Sequence, residues 1–157
     1  MLFKVLVAVT TVSHALVVGS LFAFSAFIMS ALARVDTPGA RAMQSINVVI
    51  LRSPFIAFFL LSTALSILLP IYSWFAGERQ SVVPLAISGA LYFVGLFVVT
   101  MAFNVPLNNR LDAASAQDLA PIWSEYLRSW TAWNHVRSIA GMVSILVLSW
   151  CALNRFR

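Results

Sequence analysis

The sequence predicts an all-α integral membrane protein, an antiparallel four-helix bundle with a short interfacial helix between spans 1 and 2. Three observations predict it. Hydrophobic residues make up 61% of the 157-residue chain and charged residues only 10%, where a soluble domain carries about 25% charged residues. Four apolar runs reach the roughly 20 residues that cross a bilayer. Polar connections carrying cap residues and prolines separate them. Four spans and short links use up this length, so residues 1–157 read as a single membrane domain.

The first span covers about residues 5–33, and no charged residue interrupts it. It is too long for the apolar region of a signal peptide and reads as a retained helix. Thr10, Thr11, His14, Val18, Leu21, Ser25 and Met29 share one helical stripe, which is expected to face the bundle because polar groups in lipid need partners. His14 reads first as a histidine bonded to a neighbouring helix, and second as a proton relay or ligand. Arg34 to Arg52 is the first connection. Thr37-Pro38 gives a cap and a proline at the first helical position. The turns that follow set Met43, Ile46, Asn47 and Ile50 on one side, which describes a short amphipathic helix at the interface.

Ser53-Pro54 repeats the cap signal and opens the second span, about residues 54–75, with Pro70 expected to kink its end. Gly77 to Ser81 is too short a turn to join anything but neighbours. The third span, about residues 82–103, is expected to end or bend at Asn104, since Pro106 removes a backbone donor and crowds the carbonyl of Ala102. Asp118, with Pro121 in the first turn, starts a helix of some 35 residues. At about 50 Å it exceeds the bilayer core, so only about residues 134–153 form the fourth span.

Net charge is +5, from ten basic and five acidic residues. The bases fall at the ends of spans, a pattern of membrane flanks rather than of nucleic-acid binding. A single cysteine, Cys151, excludes an internal disulfide and a thiolate cluster. Both termini and the Gly77 turn belong to one side of the bundle. The polar clusters belong to the other, so Asn47, Asn104, Asn108, His135 and Arg137 are expected to converge at one mouth. Lys4, Arg79, Arg155 and Arg157 flank the terminal side. Arg34, Arg41, Arg52, Arg110, Arg128 and Arg137 flank the mouth, which by simple count faces the cytoplasm.

On a regular last helix, Trp123, Tyr126, Trp130, Trp133, Asn134, Arg137 and Gly141 line one face. Arg128, Thr131 and His135 fall on another. Tryptophans in this position are ordinarily a belt at the headgroup level, and an arginine a snorkelling flank. A belt needs no asparagine or histidine between its rings.

The combination of Met43-Gln-Ser-Ile-Asn47, Asn104-Val-Pro-Leu-Asn108 and Trp130-x-x-Trp133-Asn134-His135-x-Arg137 resembles the anthrone oxygenase family of small four-helix membrane proteins. The resemblance implies oxidation of an anthrone-type aromatic by O2 to a quinone. Such a methylene is acidic, and its enolate can itself reduce oxygen, so the protein need supply a base, donors for the enolate oxygen and a flat apolar slot. His135 is the expected base, with Asn104, Asn108 and Arg137 as donors. Trp130 and Trp133 are expected as walls, and Asn47 and Asn134 as further substrate contacts.

No cofactor is expected and no metal site is assigned. His14 and His135 are about 12 to 16 Å apart along the bundle, too far to ligate one haem or one metal together. A haem with one histidine, or copper with His135 and Met29, Met43 or Met101, stays open. The expected partners are the small apolar aromatic, O2 and membrane lipid, with self-association open and no nucleic acid. The expected place is the inner membrane of a bacterium. The rival reading is a non-enzymatic protein that holds a quinone, lipid or other apolar aromatic at the same mouth.

Overall fold

The computed structural model describes residues 1–155, the last by its backbone only; Arg157 of the charge count lies outside them. The described chain is helical: α1 (Leu2–Ala33), α2 (Asp36–Ile50), α3 (Pro54–Phe75), α4 (Arg79–Asp112) and α5 (Leu119–Arg155). Four of the five, all but α2, are long and apolar enough to cross a membrane, as an integral membrane protein requires. α1 packs on α3 and α5, and α4 packs on the same two helices.

Three apolar layers fill the interior. Phe3, Val7, Leu69, Leu85, Leu148 and Cys151 close the end that holds the N-terminus. Val17, Val18, Leu21, Phe59, Tyr92 and Leu96 form the middle layer. Met29, Ala40, Met43, Leu111, Leu119, Trp123, Tyr126 and Trp130 form the far layer, around α2. His14 is fully buried, stacked on Tyr92 at 3.8 Å between ring centres, with Nε2 3.4 Å from the Ser62 carbonyl oxygen. Its ring contacts are thus to the neighbouring helices α3 and α4.

The corner between α1 and α2 departs from the expected cap. The helix starts at Asp36, not after Thr37, and Asp36 takes φ +48°. The reason is packing. Gly39 lies so close to α1 that a Cβ there would stand 2.0 Å from the Leu32 carbonyl oxygen, and the tight reversal is made by one left-handed residue before it. On α3, Ser53 and Pro54 open the helix as expected. Pro70 cannot bond the Ser66 carbonyl, and α4 approaches that same carbonyl through Gly89, where a Cβ would again fall 2.0 Å away.

Of the two outcomes expected at Asn104, an end or a bend, the end does not occur: α4 runs past Phe103 and through Pro106 to Asp112. Two wide turns, Phe93–Val98 and Thr100–Asn104, make this possible. The Val105 N–H reaches back five residues to the Thr100 carbonyl, so the chain enters Pro106 already out of α-register. The clash that the ring would cause in a regular helix is thereby avoided.

Candidate functional site

Away from the end that holds the N-terminus lies a cavity of about 320 Å³, bounded by α1, α2, the start of α3, the Thr100 to Asn108 part of α4 and the Trp130 to Arg137 stretch of α5. That volume is at the low end of small-molecule sites, about 300–1,000 Å³. Leu21, Phe24, Ile46, Phe55, Phe59 and Met101 make most of its wall apolar. Asn47, Thr100, Asn108 and Arg137 interrupt that wall with polar groups.

Arg137 is 5% exposed, and its setting is built by three helices. Nη1 donates to Thr100 Oγ1 at 3.1 Å, and Nη2 donates to Asn134 Oδ1 at 2.6 Å. The guanidinium carbon stands 5.1 Å from the Trp130 ring centre, over its face. Asn134 is itself fully buried; its Nδ2 donates to Leu21 O and to Ser25 Oγ, each at 2.7 Å. The asparagine therefore ties α5 to α1 and orients the arginine, one residue away from any direct part in the cavity wall. Thr100 stands in the second wide turn and donates to the Leu96 carbonyl at 2.6 Å, which leaves its oxygen aimed to accept from Arg137. Wide turns are frequent at functional sites, where they re-aim side chains.

At the outer edge, Asn47 Nδ2 donates to Asp112 Oδ1 at 3.2 Å, and Tyr126 Oη donates to Asn108 Oδ1 at 2.8 Å. Both asparagines are thus held by α4 and α5 while lining the cavity. Tyr126 also stacks between Trp123 and Trp130, at 5.6 and 5.8 Å.

Residues 47–147, more than half of the chain, match the family model described as anthrone oxygenase. The chain belongs to the anthrone oxygenase family. No curated protein and no solved structure matches it. The part matched to the anthrone oxygenase family holds Asn47, Thr100, Asn108, Trp130 and Arg137. The α1 wall, with Leu21 and Phe24, lies before it.

The expected residues divide into three groups. Asn47, Asn108, Trp130 and Arg137 line the cavity. Asn104 and Asn134 stand behind it: Asn104 is 1% exposed and its Nδ2 donates to the Trp130 carbonyl at 3.3 Å, which places it as a brace for α5 and not as a donor into the cavity. Trp133 and His135 are outside. Trp133 stacks on Phe103 at 3.7 Å, away from the lining residues, and His135 is exposed on the outer face of α5. The physical reason is the helix itself: Trp130, Asn134 and Arg137 follow the 3.6-residue period inward, and position 135 is turned about 100° from 134.

Thr100 and Asp112 were not singled out from the sequence, and Tyr126 was placed on the Trp130 face without a role. Thr100 and Asp112 had a signal, since they extend the four-residue spacing of Asn104 and Asn108 by one step on either side. Among the described residues, no group of three or more His, Cys, Asp or Glu is gathered at metal-ligand spacing.

Proposed function

We propose that this protein is an antiparallel four-helix bundle in the inner membrane of a bacterium, with α2 lying at the interface, and that it oxidises an anthrone-type aromatic with O2 to the quinone. The observation that carries the reading is the cavity: apolar and aromatic on most of its wall, polar where Thr100, Asn108, Asn47 and Arg137 stand, and lined largely from the segment that matches the family.

A flat ring system fits between Phe24, Phe55, Phe59 and Trp130, with its oxygen toward Arg137. Loss of a proton from the methylene gives an enolate, and the guanidinium stabilises the charge that collects on oxygen. Each 1.36 kcal/mol of such stabilisation raises the ionised fraction about tenfold. The enolate carbon passes one electron to O2, the two radicals combine as a C–O bond, and the peroxide forms. Loss of the second methylene proton with cleavage of the O–O bond leaves the carbonyl and releases one water per quinone. Arg137 is the one titratable group among the lining residues, so the acidity of the substrate itself, not a histidine base, drives the first step and solvent at the outer edge takes the proton.

That same lack of a base at the cavity favours a second reading, a protein that binds an apolar aromatic or quinone without turning it over. Purified protein in nanodiscs, given anthrone and air, separates the two. The oxygenase produces quinone absorbance in step with O2 uptake, and Arg137→Ala abolishes it; a spectrum of bound, unchanged anthrone with no O2 uptake refutes the oxygenase.

A further inference from the structure

The acidic residues of the chain are Asp36, Glu78, Asp112, Asp118 and Glu125, and each has a place away from Arg137. Glu125 pairs with Arg110 at 2.7 Å. Asp118 is bonded to Ser115, Asp112 is exposed and bonded to Asn47, and Asp36 is exposed at the corner before α2. Glu78 sits in the turn between α3 and α4, at the end that holds the N-terminus. Arg34, Arg41, Arg52, Arg110 and Arg128 are exposed. Arg137 is buried, and every hydrogen-bond partner it has is neutral.

A buried cation without a counter-charge is costly, several kcal/mol even after the protein relaxes. Two neutral oxygens and the Trp130 face offset part of that cost and fix the guanidinium, yet its Nε–H has no partner within the protein. A side chain recruited only to brace α5 against α4 and α1 needs no charge. A guanidinium held by two neutral oxygens, with no acidic side chain among its partners, on a side chain that lines an apolar cavity, is arranged as one half of an ion pair.

We infer that the other half is the ligand: the cavity takes an apolar polycyclic arene that carries one ionised oxygen, a phenolate or carboxylate, already charged on binding and seated on Arg137. The inference rests on the proposed function for the aromatic body of the ligand and goes beyond it in placing the charge before any chemistry. A lipid phosphate offers the same anionic oxygen. The ring-lined wall of Phe24, Phe55, Phe59 and Trp130 favours the arene.

The test is equilibrium binding of two fluorescent probes to the protein in phosphatidylcholine nanodiscs, 9-anthracenecarboxylate and the neutral 9-anthracenemethanol. The carboxylate is expected to bind at least about tenfold more tightly, the difference that a charge-assisted hydrogen bond makes. In Arg137→Gln the preference disappears; Arg137→Lys, which keeps the charge, retains part of it and serves if the glutamine variant fails to fold. Equal binding of the two probes by the unmodified protein, or a preference that survives Arg137→Gln, overturns the inference. Displacement of the carboxylate by phosphatidylglycerol added to the phosphatidylcholine nanodisc assigns the seat to a lipid of net negative charge and overturns the arene. Neither probe has a methylene between its rings, so turnover is not read. Anion preference in a protein that forms no quinone refutes the oxygenase alone, and quinone formation without anion preference refutes this inference alone.

Discussion

Asn134→Ala removes the frame on which Arg137 is hung, and its effect can be worked from three bonds. The amide donates twice, to Leu21 O and Ser25 Oγ, and accepts once from the guanidinium. Neutral side-chain hydrogen bonds between membrane helices average about 0.6 kcal/mol and reach about 1.7, so the two donated bonds contribute about 1–3 kcal/mol. The charge-assisted bond contributes about 1.5–3 kcal/mol. The expected destabilisation is about 3–5 kcal/mol, and at about 2–4 °C per kcal/mol for a chain of this size the Tm falls by about 6–20 °C. Thermal unfolding of the nanodisc protein, followed by tryptophan emission, reads it. Asn104→Ala is the reference, since it loses one 3.3 Å bond to the Trp130 carbonyl and is expected to fall by less than about 4 °C. An Asn134→Ala protein that melts no lower than Asn104→Ala refutes the reasoning.

Two further predictions concern other parts of the molecule. His135→Ala, at an exposed position, is expected to change stability by no more than about 0.5 kcal/mol and to leave quinone formation unchanged; a loss of about 10² to 10⁴ in rate on a normally folded protein would restore the histidine as the base. Gly39→Ala forces a methyl against the Leu32 carbonyl, with an expected cost of about 1–3 kcal/mol. Because Met43, Ile46 and Asn47 line the cavity from the same helix, the variant is expected to weaken arene binding as well, and unchanged melting and binding would show that the corner has slack.

The helices were legible because their signals are long. Apolar runs of spanning length and the Ser53-Pro54 start survive any detail of packing, and α3 begins where that dipeptide stands. Side-chain direction near a proline was less so. The rule that Pro106 ends a helix assumes α-register before it, and nothing local in Thr100-Met-Ala-Phe-Asn104 announces the wide turn that removes the conflict. Along α5 the period was regular, and the face drawn through Tyr126, Trp130, Asn134 and Arg137 is the buried one. Clustering in sequence nevertheless drew in His135, which the same period turns outward, and Trp133 shares the inward face by that period but stacks on Phe103 beside the cavity's lining. The partner of Asp112 was hidden for a different reason: the bond to Asn47 spans 65 residues and depends on where α2 lands.

The two wide turns of α4 also bear on how this helix tolerates change. In a regular α-helix a step of four residues overshoots a full circle by about 40°, so a stripe drawn through Tyr92, Leu96, Thr100, Asn104 and Asn108 would wind about 160° around the axis. A wider turn holds more residues per circle and unwinds that drift, and along α4 Tyr92 packs in the middle layer while Asn108 lines the cavity. Deleting a single residue between 93 and 104 would convert a wide turn to an ordinary one without breaking the helix or altering its polarity. It would also swing Asn108 away from the cavity and Leu111 out of the far layer. In this stretch the number of residues is under tighter constraint than their chemical kind.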